Sequence, residues 1–301
     1  MIWITAAIIT AAIMGLVAII DSHLISKRMP SLWSFLLPVG ILHFGFGLII
    51  LCLNPLPEEV STSLLLIAFG SGLIRSIGAF LMLRAMRFEE VSRIVPVVHT
   101  FPIFVAILAV PFLGESLGYI QWLSILMTVG GAVLISVQYG TGGQGAPLRK
   151  SFTMLIGSSL LIGIANTASK YALDYISFWN MYSVNAICFG VMFLLLSARP
   201  RTLKEIRDMK KRSQTLALLT INECVAVVGI ILAFWAVAQG PVSLVSTIFS
   251  IRPFFVFIFA LTLSRFFPAV LEERLSRGTV IIKSVSIGLI IGGVTLLTLG
   301  S

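Results

Sequence analysis

Apolar stretches of about 20 residues recur along the whole chain, each separated from the next by a short polar or charged interval. A helical stretch of that length crosses a ~30 Å hydrocarbon core. The pattern predicts ten helices, over 2–26, 33–53, 63–87, 91–112, 119–139, 152–173, 178–198, 214–238, 241–264 and 279–299. Only residues 140–150, rich in Gly and ending in Arg149 and Lys150, have a loop composition of their own. They divide five spans from five. The expected organisation is therefore a first unit over 1–139, a linker over 140–150 and a second unit over 151–301.

The two units repeat. Residues 91–107 read VSRIVPVVHTFPIFVAI and residues 242–258 read VSLVSTIFSIRPFFVFI. At a constant shift of 151, Val91, Ser92, Pro102, Phe104 and Val105 meet Val242, Ser243, Pro253, Phe255 and Val256. Gly78, Leu81 and Ala85 meet Gly229, Leu232 and Ala236 at the same shift. An odd number of spans per unit sends the second copy through the membrane upside down. The fold class expected is an all-α membrane protein, with ten transmembrane helices as two inverted five-helix repeats. Prolines in both copies predict bent helices at equivalent places, because a ring nitrogen donates no helical hydrogen bond.

Composition agrees and excludes other classes. Of 301 residues 58% are hydrophobic and 11% charged, with a mean hydropathy of +1.05. No water-facing exterior can be built from so few polar residues. The net charge of +9 would suggest nucleic acid in a soluble chain. Here the basic residues sit mainly between spans, so they are read as topology determinants and no nucleic-acid partner is expected. Loops 1–2, 3–4, 5–6, 7–8 and 9–10 hold Lys27, Arg28, Arg87, Arg93, Arg149, Lys150, seven cations between Arg199 and Arg212, then Arg265, Arg274, Arg277 and Lys283. The other loops carry Glu58, Glu59, Glu115 and Asp174. The positive-inside rule then puts the odd loops in the cytoplasm and both termini outside. Cys52, Cys188 and Cys224 are isolated and form no metal or disulfide pattern. The first span lacks a basic leader and a small-residue cleavage site, so it is expected to remain.

Leu83-Arg84-Ala85-Met86, Val91-Ser92, Phe112-Leu113-Gly114-Glu115-Ser116-Leu117 and the Gly-Gly motif of span 5 (Gly130-Gly131), repeated as Gly292-Gly293 in span 10, resemble the EamA-type module of the drug/metabolite transporter superfamily. The resemblance covers essentially the whole chain. It departs at Glu273, which no glycine precedes. It implies a secondary transporter of small metabolites in the cytoplasmic membrane, without a cofactor, and not an enzyme. Members usually keep their termini in the cytoplasm, the opposite of the charge pattern here.

Charges within spans cost a few kcal/mol each (about 2.5–3.5 on insertion scales), so each needs a reason. Arg84 and Lys170 lie near helix ends and can snorkel, Lys170 beside Asp174. Arg75, Glu223, Arg252 and His99 lie near mid-depth on repeat-related spans, where a substrate cavity would sit. With Asn166 and Asn222 they form the expected substrate-binding set, and Glu223 and Asp21 are candidates for proton coupling. The competing reading is an ion pair, Arg75–Glu223 or Glu223–Arg252, that only fixes packing. His43, alone on an apolar helix, is read as hydrogen-bonded core. Gly140 to Gly145 satisfies GxGxxG but follows a membrane span, so no nucleotide site is expected. No metal ligand set is seen.

The charge inventory favours a substrate with an anionic group, an amino acid-like zwitterion or an organic anion, moved by alternating access. The alternative is a flippase for an anionic lipid or lipid-linked sugar. A membrane-embedded enzyme would need a clustered catalytic set, and a sensor an attached soluble domain. The expected partners are the substrate and the lipid bilayer, and a homodimer is compatible with the sequence.

Overall fold

The computed structural model describes residues 2–57, 60–89, 91–134, 149–266 and 277–299. Among these every regular element is a helix. Most of the 140–150 linker and the segment around Glu273 lie outside the described residues, as do Glu58 and Glu59. Helix α1 (Ile2–His23) runs into a π-helical turn at Leu24–Arg28 and is followed by α2 (Leu32–Leu53) and α3 (Thr62–Ala85). Then come α4 (Val91–Val98), α5 (Phe101–Leu113) and α6 (Tyr119–Leu134). Next are α7 (Arg149–Leu173), α8 (Phe178–Ser197) and a short α9 (Pro200–Arg207). The chain closes with α10 (Arg212–Gln239), α11 (Val242–Phe249), α12 (Arg252–Phe266) and α13 (Arg277–Leu299). Among the described residues eight spans, with α4–α5 and α11–α12 each counted as one, are long and apolar enough to cross a membrane. The stretches Tyr119–Leu134 and Val285–Thr298 are apolar but shorter.

Local chemistry sets the helix ends. Ser31, Ser61 and Ser177 precede α2, α3 and α8, and each hydroxyl accepts the N–H of the residue three positions on. That satisfies one of the orphan donors of a helix start. Two helices are interrupted. α4 stops before His99–Thr100 and α11 stops before Ser250–Ile251, at equivalent positions of the two copies of the repeated segment. Pro102 and Pro253 are the cause. Neither can donate to the carbonyl four residues back, so the helix restarts with proline in its first turn.

Packing follows the small residues. The main helix pairs are α2 with α8, α3 with α7, α6 with α13 and α1 with α10. In hydrocarbon no hydrophobic force drives such pairs, and close backbone approach at small residues does. A Cβ placed on Gly190 of α8 would meet Phe44 Cβ of α2 at 2.6 Å. Gly78 of α3 lies so near α7 that the Ser158 hydroxyl donates to its carbonyl at 2.7 Å.

The helix ends are also tied across the chain. Arg87 donates to the carbonyls of Ile25 (2.6 Å) and Pro30 (2.8 Å) where α1 ends. Lys170 donates to Val237 and Ala238 at the end of α10 (3.1 and 3.3 Å) and lies 3.7 Å from Asp174. Gly114 turns the chain in the left-handed conformation (φ 67°) after α5. The turn delivers Glu115 to the start of α11, where its two oxygens accept from Val242 (2.5 Å) and Ser243 (3.2 Å). A carboxylate there meets both the orphan N–H groups and the positive end of the helix dipole. Glu115→Ala is expected to lower stability by about 1–2 kcal/mol, and Glu115→Gln by less. Thermal unfolding of the purified protein in detergent checks the order.

Candidate functional site

A cavity of about 240 Å³ lies between the two halves, lined from α1, α2, α3, the α4–α5 joint, α7, α8, α10 and the α11–α12 joint. Its walls are mostly apolar, with Phe35, Phe189, Phe234 and Phe249 among them. Its polar groups are Thr10, Asp21, His43, Arg75, His99, Asn166, Ser169, Tyr182, Asn185, Glu223 and Arg252. Five of the six residues expected to bind substrate are among them: Arg75, His99, Asn166, Glu223 and Arg252. So is Asp21. Asn222 is not on the lining; its amide donates to Asp21 Oδ1 at 2.7 Å, and it reaches the cavity through that carboxylate.

Arg75 is held by three neighbours. Its Nε donates to Asn185 Oδ1 at 3.0 Å, one terminal nitrogen to Asn166 Oδ1 at 2.8 Å and the other to Ser169 Oγ at 3.0 Å. Its guanidinium carbon lies 5.2 Å from the centre of the Phe234 ring, in the range of a cation–π contact. Every hydrogen-bond partner is neutral. A guanidinium has five N–H donors in a rigid fork, so these three bonds orient it and leave donors over.

The acids are engaged elsewhere. Glu223 Oε2 lies 3.0 Å from His43 Nε2, with both side chains at most 6% exposed. The Arg75–Glu223 and Glu223–Arg252 pairs weighed from the sequence are not among the ion pairs of the described residues. Asp21 has Arg252 and Glu223 as charged neighbours. His99 lies beside the backbone of Phe249, whose carbonyl Pro253 leaves without its helical donor. The two joints thus face each other across the cavity.

Four buried polar atoms of the lining have no partner among the described residues: Thr10 Oγ1, His99 Nδ1, Tyr182 OH and Arg252 Nε. Such groups cost roughly 1–3 kcal/mol each when left unsatisfied. Four around one space are what a site for a polar ligand or ordered water requires. Sequence reasoning read His43 as hydrogen-bonded core, as its bond to Glu223 has it, but not as part of the cavity, and it did not single out Ser169 or the pairing of Asn222 with Asp21. Only His43 carried a signal, as a lone histidine midway along an apolar helix.

Residues 1–137 match the EamA-like transporter family, as the sequence resemblance anticipated. A search of curated proteins finds no match. A solved structure titled only "Crystal structure of protein" is similar at a TM-score of 0.65 and 16% identity, covering 99% of this chain and 96% of its own. At that identity the likeness speaks for the fold, and it spans both halves.

Proposed function

We infer that this chain, whose residues 1–137 belong to the EamA-like transporter family, is a multi-pass membrane transporter of small substrates, and that the central cavity is where its substrate binds. One observation carries the site: Arg75 is a half-buried cation on the cavity wall whose hydrogen-bond partners among the described residues are all neutral. Such a group holds an anion well, since no protein carboxylate must be displaced and the fork is already oriented. The substrate bears an anionic group, as an amino acid-like zwitterion or an organic anion does. By the ~150 Å³ cavity that holds benzene, a cavity of about 240 Å³ takes roughly ten non-hydrogen atoms. Arg252, His99 and Glu223 meet the rest of the molecule. Asn166 acts by holding Arg75, and Asn222 by holding Asp21.

Alternating access by two inverted five-helix repeats is the mechanism we propose. Two features support it. The α4–α5 and α11–α12 joints occupy equivalent positions and both border the cavity. The pairing of α1 with α10 is the counterpart of the pairing of α3 with α7 when the halves are exchanged. Bent helices at such positions serve as rocking or gating elements. No feature among the described residues favours the flippase reading.

Two measurements test this. Thermal stabilisation of the purified protein is expected from members of a panel of amino acids and organic anions. Stabilisation by hydrophobic cations alone overturns the reading. From the charge pattern we also propose that both termini face outside. A C-terminal alkaline phosphatase fusion should then be active, and a fluorescent fusion that lights only in the cytoplasm overturns that orientation.

A further inference from the structure

His43 on α2 and Glu223 on α10 make a contact that the binding of an anion at Arg75 does not itself use. Their nitrogen and oxygen are 3.0 Å apart and buried, and both line the cavity. The ring of His43 also lies against Phe189, at 4.8 Å between centres. The titratable and charged groups facing the pair are Asp21 from α1, Arg75 from α3, Tyr182 from α8, and His99 and Arg252 from the two joints. From α7 come only the neutral Asn166 and Ser169.

Charge balance gives the pair its work. With both histidines uncharged and both acids ionised, Asp21 and Glu223 would balance the guanidiniums of Arg75 and Arg252. An anion arriving at Arg75 upsets that balance in a space where an uncancelled charge is poorly solvated. A proton restores it. Of the two cavity histidines, His99 has the Arg252 guanidinium beside it, so a second cation there would be repelled. His43 instead shares its Nε2 proton with a carboxylate, so one added proton is taken up by the pair as a whole, at Nδ1 of the imidazole or on the carboxyl, and the pair's hydrogen bond is kept.

We propose that the His43–Glu223 pair is a proton site linked to the anion site at Arg75, so that an organic anion and one proton bind and cross together. This rests on the reading that Arg75 takes the anionic group of the substrate. The proton comes from water on the side of entry, is held by the His43–Glu223 pair as imidazolium or carboxylic acid, and leaves on the side of release. An amino acid brings its own cation and needs no such proton. Linkage is reciprocal: the bound proton strengthens anion binding, and affinity falls as pH rises, by at most about tenfold per pH unit for one proton.

The proton site is tested first with protons as the only ligand. Infrared pH titration of the purified wild type should show a carboxyl step that Glu223→Gln abolishes and that His43→Gln and Arg75→Gln displace. A step unchanged in all three variants overturns the proposal. Binding of a panel of small monocarboxylates is then measured against pH. Wild-type affinity should fall with rising pH, and His43→Gln should flatten the dependence. Arg75-dependent binding that ignores pH overturns the proton proposal alone. Anion binding that survives Arg75→Gln undiminished overturns the anion site instead, and the infrared result still decides the proton site.

Discussion

Replacing Arg75 by alanine is expected to weaken substrate binding by about 1.5–3 kcal/mol, roughly 10- to 150-fold, the range for a hydrogen bond to a charged group. The loss has two sources. The substrate anion loses its half-buried cation, and Asn166, Asn185 and Ser169 lose the donor that fixes them. Arg75→Lys should recover little. An ammonium keeps the charge but cannot direct planar donors to acceptors on both α7 and α8 while presenting others to a ligand. Equilibrium binding of the best ligand from the thermal panel, measured on both variants, checks this. A lysine variant that binds as tightly as wild type would show that charge alone holds the anion.

The second large effect concerns packing. Gly190→Ala is expected to destabilise the protein by about 1–3 kcal/mol, the cost of overpacking a filled interior. The new methyl would meet Phe44 Cβ at 2.6 Å, Phe44 N at 2.7 Å and Gly40 O at 2.8 Å. Two of those are backbone atoms, so no rotamer change relieves the clash and α2 must move away from α8. Gly40→Ala, whose nearest atom is at 3.1 Å, should cost less. Gly45→Ala meets nothing within 4 Å and should be neutral or stabilising by up to about 1 kcal/mol, since alanine favours a helix. Thermal unfolding in detergent ranks the three. Separation of α2 from α8 also moves His43 and Asn185 apart, so Gly190→Ala should weaken substrate binding although it touches no ligand.

The spans were legible because hydropathy is a local signal. The expected 33–53, 63–87 and 178–198 became helices over 32–53, 62–85 and 178–197. The interruptions at 99–100 and 250–251 follow from Pro102 and Pro253. Arg75, Glu223 and Arg252 stood out because charge is rare in hydrocarbon. Their partners were hidden because a partner is a long-range property. Glu223 meets His43 from 180 positions away, and Asp21 meets Asn222 from 201. Intramembrane acids and bases suggest ion pairs to a sequence reader. The fold instead gives Arg75 neutral acceptors, which only the crossing of α3 with α7 and α8 decides. Glu115 was legible as part of a motif, and its use as a helix cap was not.

The housing of Arg75 bears on how the chain is made. α3 leaves the ribosome well before Asn166, Ser169 and Asn185 exist, since those acceptors lie 91, 94 and 110 positions later. An arginine at the centre of a membrane helix opposes insertion by about 2.5–3.5 kcal/mol. The surrounding apolar residues, with a mean hydropathy of 1.9 over the most apolar stretch of Thr62–Ala85, must carry it in unaided. Until α7 and α8 arrive, the nascent first half holds an unsheltered cation in lipid. A first half expressed alone would therefore be a poor substrate for stable assembly and a good one for quality-control proteolysis.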